Sequence, residues 1–376
     1  MKKNSLPTPM ILVDQDVLNR NIKKYQTECD NNKKQLWPMI KTHKSTYIAE
    51  LQFQAGATGF LCGTLDECEI LVNAGFTNIM YAYPVATQSS IGRIIELRKN
   101  SNIILRIDGI EAAQLVNDVA KKADLLIDYT IIINSGLNRL GISPTETVQF
   151  VRAMESYENL RFKGLSTHPG HVYAATGARD VLKCAMEEVE ALKIAADLLK
   201  ADGFEIEIIT TGATPTFLNA VTAAGIDILH PGNYVFHDAV QIALGVATEG
   251  ECALTILASV ISNPEPGIFI IDAGSKTLGL DKGAHGSANI KGYGIIKHHP
   301  GCEIISLSEE VGKISVSLDS ELSVGDKIEI IPNHACVPAN LTSKIITCRD
   351  EVAIGQIEID MRGNTHVFPN LQVFGG

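Results

Sequence analysis

QLWPMIK (residues 35–41), TGFLCG (58–63), NIMYAYP (78–84), NIILRID (102–108), YTIIIN (129–134), FKGLSTH (162–168), IEIITTG (206–212) and DILHPG (227–232) decide the architecture of this chain. Each is a short apolar run of buried-strand type, and amphipathic stretches such as 45–54, 64–74 and 178–200 lie between them. Strands alternating with helices read as parallel βα units, because a parallel neighbour needs a crossover long enough to hold a helix. Eight such units predict a closed (β/α)8 TIM-like barrel. The polar or glycine-bearing ends of the runs, namely Lys41, Arg139, His168, the stretch 210–214 and Gly232, fall at or just past the C-terminal ends of strands. Barrel sites assemble on that face.

After about Thr248 the texture changes. TILASVIS (255–262), GIFIIDAG (267–274), KISVSLD (313–319) and DKIEIIP (326–332) are rich in β-branched residues and separated by Gly, Pro and Asp turns, which predicts a second, all-β region. The opening TPMILVD (8–14) is strand-like and is expected to join that sheet. The expected division is a barrel over 15–245 and a β region made of 1–14 plus 246–376.

Composition narrows the partners. The net charge of −11 over 376 residues disfavours nucleic acid and anionic membrane surfaces. No apolar stretch approaches the roughly 20 residues of a membrane helix, and MKKNSLPTPMILVDQD lacks the apolar segment of a signal peptide. The eight cysteines, Cys29, Cys62, Cys68, Cys184, Cys252, Cys302, Cys336 and Cys348, contain no CxxC pair. Reduced thiols in a cytoplasm are the expectation, with seven of the eight acting as small buried hydrophobes.

The chemistry concentrates in MIKTHKS (39–45). A lysine at a strand end, pointing into a barrel mouth, is partly desolvated, and desolvation makes its amine a competent Schiff-base nucleophile. Taken alone, such a lysine is an ordinary solvated one. Two turns change the odds. TTGAT (210–214) after IEII and before a helical stretch near Pro215, and PGNY (231–234) after DILH, each offer backbone N–H groups to an anion. They sit on the last two strands, where barrel phosphate sites are favoured.

With these residues in hand, the chain resembles the D-threonine aldolase and D-serine dehydratase family, which has the alanine-racemase-like fold and depends on pyridoxal 5'-phosphate. The matching stretches run in order: TPMILVD, MIKTHKS, SGLNRLGI (135–142), GLSTHPGHVY (164–173), TTGATPT (210–216), HPGNYVFHD (230–238), IDAGSKTLG (271–279) and PNHAC (332–336). The resemblance implies that Lys41 carries the cofactor as a Schiff base. It implies that Thr214, Gly232 and Asn233 help hold the phosphate, with Thr211, Gly212 and Tyr234 in the same turns. It implies that Arg139, His168 and Tyr173 face the cofactor ring or its hydroxyl, and that a head-to-tail homodimer completes each site.

His334-Ala-Cys336 is a further candidate. On a strand, residues i and i+2 point the same way, so an imidazole and a thiolate there grip one ion. An arbitrary HxC is more often core filling, but in the family this motif holds a divalent metal. Zn²⁺ suits a thiolate beside an imidazole, whereas Mn²⁺ or Mg²⁺ suits the carboxylate that aldolase members commonly carry at the second position. Cys336 therefore points to the dehydratase branch. One departure counts against it: relatives often carry a histidine where SEEV (308–311) has Val311, with His43, His171 or His237 as candidate substitutes.

The resemblance then implies a lyase acting on a small D-3-hydroxy amino acid. In the dehydratase reading Lys41 takes the Cα proton as general base, the metal activates the 3-hydroxyl as a leaving group, and a 2-keto acid and ammonia result. A D-threonine aldolase would instead cleave Cα–Cβ to glycine and an aldehyde. An amino-acid racemase of the same fold needs no metal, so the HxC disfavours it. A non-catalytic carrier of the barrel type would not extend into a second region.

Overall fold

The computed structural model describes residues 1–283, 290–317 and 321–363. Parts of the expected β region, 284–289, 318–320 and 364–376, lie outside the described residues, including the end of KISVSLD. β1 (Met10–Asp14) comes first and is followed by eight strands of a separate sheet: β2 (Gln35–Leu36), β3 (Phe60–Cys62), β4 (Asn78–Tyr81), β5 (Asn102–Ile107), β6 (Ile127–Ile132), β7 (Leu160–Ser166), β8 (Ile208–Thr211) and β9 (Ile228–Leu229). Every pairing among these eight is parallel, in the order β2-β9-β8-β7-β6-β5-β4-β3. A parallel bridge between Met39 and Leu61, with the Leu61 N–H donating to Pro38 O at 2.9 Å, closes the ring into the expected barrel.

The barrel interior is layered by the two-residue period of its strands. Trp37, Met39, Leu61, Met80, Ala82, Ile104 and Ile228 form one apolar cluster. One pleat further toward the C-terminal ends come buried polar residues: Arg106 bonds Thr210 across the barrel at 3.2 Å, and Thr130 bonds Ser166 at 3.1 Å. The large main core lies between the strands' outer faces and the helices. Helices Thr46–Gln54, Leu65–Asn73 and Ala178–Ala201 fall where the apolar periodicity put them. The helix after TTGATP is only one turn, Phe217–Ala220.

β1 does not enter the barrel. It pairs antiparallel with β10 (Leu254–Glu265), in a nine-stranded mixed sheet completed by β11 (Ile268–Ile271), β12 (Ile295–Ile296), β13 (Cys302–Leu307), β14 (Gly312–Val316), β15 (Lys327–Ile331), β16 (Lys344–Arg349) and β17 (Val352–Glu358). TPMILVD therefore joins the C-terminal sheet as its pattern predicts. A parallel pairing of β1 with β16 makes that sheet mixed rather than purely antiparallel. No helix among the described residues is long and apolar enough to cross a membrane.

Candidate active site

A cavity of about 400 Å³ opens at the C-terminal ends of the barrel strands, where residues from all eight strand ends meet His334 and Cys336 from the second sheet region. Lys41, Arg139, His168, Tyr173, Gly212, Thr214, Gly232 and Asn233 all line it. Lys41 lies on a single 3-10 turn, Ile40–Thr42, just past β2. The second lysine of KTHK has a different task. The ammonium of Lys44 donates to Glu67, whose other carboxylate oxygen caps the helix start through the N–H groups of Gly63 and Thr64 at 2.6 and 3.3 Å. Among the described residues Lys41 forms no ion pair, so of these two amines it is the one facing the cavity uncompensated.

The two glycine turns approach each other closely. A Cβ on Gly212 would fall 2.5 Å from the His230 N, and one on Gly232 would fall 2.9 Å from Thr42 Oγ1. Only glycine lets these backbones meet. Among the described residues the N–H groups of Ala213, Thr214, Gly232 and Asn233, all on the cavity wall, donate to no protein acceptor. Four such N–H groups facing one space form an anion cradle. The Thr214 hydroxyl ties the turns together by accepting from the Tyr234 N–H at 3.1 Å. The one-turn helix after this loop adds little dipole, so the capacity to hold an anion lies in the loop amides.

Two sequence candidates do not present side chains to the cavity. Tyr234 is fully buried, its hydroxyl accepts from Gln52 Nε2 at 2.9 Å, and its ring packs 4.5 Å from Tyr25. The Thr211 side chain turns outward through the strand toward buried Glu188. Strand alternation explains this: Thr210 points into the barrel, so Thr211 points away.

His168 Nδ1 is held by Gly212 O at 3.0 Å, and Arg139 stacks its guanidinium over Tyr83, 5.7 Å from the ring centroid. At the floor are two groups the sequence reading passed over. Burial brings Arg106 down to about 10. Burial, reinforced by Arg106, drops His230 to about 3. His230 Nδ1 lies 2.8 Å from Trp37 O, so this neutral imidazole donates from Nδ1 and turns a bare Nε2, without a protein partner among the described residues, to the cavity.

His334 and Cys336 are close neighbours, but not on a strand as expected. The chain leaves β15 at Ile331, His334 is in the loop, and Cys336 starts the helix Cys336–Leu341. Ala335 has helical backbone angles, so a helical turn rather than a pleat brings imidazole and thiol together. Burial pushes the Cys336 thiol up, but the His334 charge and hydrogen bonds from His334 and Thr42 bring it below its ordinary value. The same pairing, with Asp281 Oδ2 3.1 Å from Nδ1, raises His334 well above the usual imidazole range against the effect of burial. Asp238, also absent from the candidate residues, organises both halves. Its Oδ2 accepts from Asn233 Nδ2 at 2.6 Å and from the Ala335 N–H at 2.9 Å.

None of the histidines considered as substitutes for one at Val311 reaches the cavity. His43 is in the core, 3.3 Å from Gln52 Oε1. His237 is in the core against Tyr25, and His171 pairs with Glu187 outside the cavity. Val311 itself is in the turn between β13 and β14, where its carbonyl accepts from Ser308. The cavity histidines are His168, His230 and His334. The cavity and the His334–Cys336 pair come together within one chain.

The family described as the alanine racemase N-terminal domain matches residues 13–239, and one described as a putative serine dehydratase domain matches 253–348. The D-threo-3-hydroxyaspartate dehydratase of Delftia sp. strain HT23 is 28% identical over 347 residues, covering 88% of this chain and 91% of that protein. Its solved structure superposes with a TM-score of 0.87 at 27% identity, covering 95% and 98% of the two chains. A solved structure of the same enzyme carrying a cysteine-to-alanine change is described as metal-free. The D-serine dehydratase of Dictyostelium discoideum is 28% identical over 90% of this chain and 93% of its own. The D-threonine aldolase of Filomicrobium marinum gives a TM-score of 0.88 at 26% identity, with 96% and 97% covered.

Proposed function

We propose that this chain, which belongs to the family of the alanine racemase N-terminal domain, is a pyridoxal-phosphate-dependent lyase of D-3-hydroxy amino acids, of the D-serine dehydratase type. The observation that carries this reading is the meeting of Lys41 and the His334–Cys336 pair in one cavity. Bound there, the cofactor supplies an electron sink for the charge left at Cα. The residues fit it. The amides of Ala213, Thr214, Gly232 and Asn233 suit a phosphate, and the Lys41 amine suits the carbonyl carbon. Arg139, His168 and Tyr173 are assigned to the ring and its hydroxyl, Gly212 to the close approach of the two turns, and Tyr234 to a backbone role only.

His334 and Cys336 are assigned to a divalent ion, with Asp281 orienting the imidazole from behind. Sulfur beside nitrogen favours Zn²⁺ over Mn²⁺ or Mg²⁺, and such an ion supplies Lewis acidity at a substrate hydroxyl. Lys41 presents its amine to the cavity, where it would accept a proton from the substrate. It is the group assigned to Cα–H abstraction. The likeness to the Filomicrobium D-threonine aldolase supports retro-aldol cleavage as the second reading, in which the same pair acidifies the 3-hydroxyl. A racemase reading leaves the pair unexplained.

Residues 15–245 and 1–14 with 246–376 are assigned as the two folding units, and a homodimer in the cytoplasm as the working state. The deciding experiment incubates the purified protein with D-serine, D-threo-3-hydroxyaspartate and D-threonine, with and without chelator. A 2-keto acid plus ammonia, lost on chelation, supports the dehydratase. Glycine plus aldehyde selects the aldolase, and Cα epimerisation that survives chelation overturns both.

A further inference from the structure

We propose that His171, Cys184 and Glu187 form a second divalent-metal site, suited to Zn²⁺, outside the catalytic cavity. Their ligand atoms all lie within 4.8 Å of one another, and none of the three lines the cavity. His171 comes from the 3-10 turn Gly170–Ala174. Cys184 and Glu187 lie three residues apart on the helix Ala178–Ala201, a spacing that puts both on one helix face.

The donors converge, and one of them keeps an unpartnered nitrogen. His171 Nε2 is 3.2 Å from Glu187 Oε2, while His171 Nδ1 is buried without a hydrogen-bond partner among the described residues. Nδ1 is thus the unpartnered donor, while Nε2 is engaged by the Glu187 carboxylate that would share the ion. Lys183 holds the opposite oxygen, Oε1, at 3.7 Å, which leaves Oε2 directed to the imidazole. The Cys184 thiol is reduced and sits at the edge of an apolar cluster with Val172, Val181 and Ala213. Tetrahedral zinc, with bonds of about 2.0–2.3 Å, sets its ligand atoms roughly 3.3–3.7 Å apart. Closing the present triangle takes a shift of about 1 Å, within reach of the half-exposed Glu187 side chain. One nitrogen, one sulfur and one oxygen favour Zn²⁺ over Mg²⁺ or Ca²⁺, and a fourth position stays open to water.

The site also touches the catalytic wall. Gly136 has φ +127°, and a Cβ there would lie 3.0 Å from His171 Cε1. Its loop runs on to Arg139, which lines the cavity. An ion that fixes the His171 ring fixes the platform under that loop. Burial, with Glu187 and Asp180 nearby, raises the Cys184 thiol. Zinc must displace that proton, so binding strengthens as pH rises.

The test is zinc stoichiometry on the full chain at micromolar metal. The wild type is expected to bind two equivalents, Cys184→Ala and Glu187→Gln one each, and the double change His334→Ala with Cys336→Ala one. Glu187 is exposed, so its variant reads the site even where Cys184→Ala folds poorly. Cobalt added to the His334→Ala, Cys336→Ala protein should show a thiolate-to-metal charge-transfer band that Cys184→Ala abolishes. The proposal is overturned if that double variant binds no zinc, or if Cys184→Ala and Glu187→Gln keep the wild-type stoichiometry. Neither result bears on the lyase reading, which is read at His334 and Cys336.

Discussion

The Sγ of Cys336 lies 3.4 Å from the Oγ1 of Thr42, the residue next to Lys41. Two sheets far apart in sequence thus meet at a hydrogen bond one residue from the proposed cofactor lysine. The metal-type pair and the amine are held in one frame, so a group bound by one is presented to the other. Asp238 stabilises this frame from behind, and Glu67 removes Lys44 from competition.

Lys41 and Lys44 should separate cleanly on mutation. Lys41→Ala is expected to abolish borohydride-fixable cofactor, read by mass spectrometry of the labelled peptide. Lys44→Met should retain the label at Lys41 but lose about 3 kcal/mol of stability, because it strands the buried Glu67 carboxylate. A label that persists in Lys41→Ala and maps to Lys44 would refute the assignment.

Asp238→Asn should weaken both halves of the site together. The substitution keeps the shape but replaces one acceptor oxygen with an NH2 donor, which then faces the donors of Asn233 and Ala335 or that of Gln241. The expected cost is about 2 kcal/mol in urea unfolding, with cofactor and metal affinities both reduced. Loss of one affinity alone would show that Asp238 does not couple them.

The barrel was legible because its eight runs are strands whose apolar pattern reflects burial by helices outside and side chains inside. TPMILVD was legible for the same reason. The His334–Cys336 pair was visible as residues but not as geometry, since PNHAC follows the strand-like IEII and nothing in it announces the helical angles of Ala335. Asp238 appears in HPGNYVFHD, yet one partner is five residues away and the other 97, so its task emerges only in the fold. Tyr234 and Thr211 lie in the motif turns yet keep their side chains out of the cavity, because a motif shows which residues are near a site, while strand phase and core packing decide which side chains enter it.

Stability should peak near pH 6.5 through four buried groups. Burial lowers His43 and His230 to about 3 and His237 to about 4, against an ordinary 6.5. The unfolded chain protonates these rings first, so their contribution is complete above pH 6.5 and lost as pH falls toward 3–4. Burial raises Glu188 to about 8 from 4.5. The fold then holds a proton that the unfolded chain has released, and stability declines from pH 4.5 up to 8. Above pH 6.5 only Glu188 of the four contributes a slope, about 1.4 kcal/mol per pH unit. Glu188→Gln should flatten the melting-temperature profile between pH 6.5 and 8. An unchanged slope there would reject the neutral Glu188.

Metal identity should follow the second ligand. Chelation is expected to stop turnover while the absorbance of the lysine-bound cofactor persists, because Lys41 and the amides of Ala213, Thr214, Gly232 and Asn233 do not involve His334 or Cys336. Cys336→Asp replaces a soft sulfur with a hard oxygen, so the activating metal should shift from Zn²⁺ toward Mn²⁺ or Mg²⁺. The same change removes the thiol beside Thr42, and the longer carboxylate side chain shifts the ligand atom from the position that Sγ holds, which should lower activity even with the preferred metal. Cys336→Ala leaves a single ligand, for which a loss of at least tenfold in metal affinity is expected, about 1.4 kcal/mol or more. Activity against each metal, measured beside metal content of wild type, Cys336→Asp and Cys336→Ala, checks the chain of reasoning. Were Cys336→Ala to keep its metal and full turnover, Cys336 would be core filling and the dehydratase reading would lose its ligand.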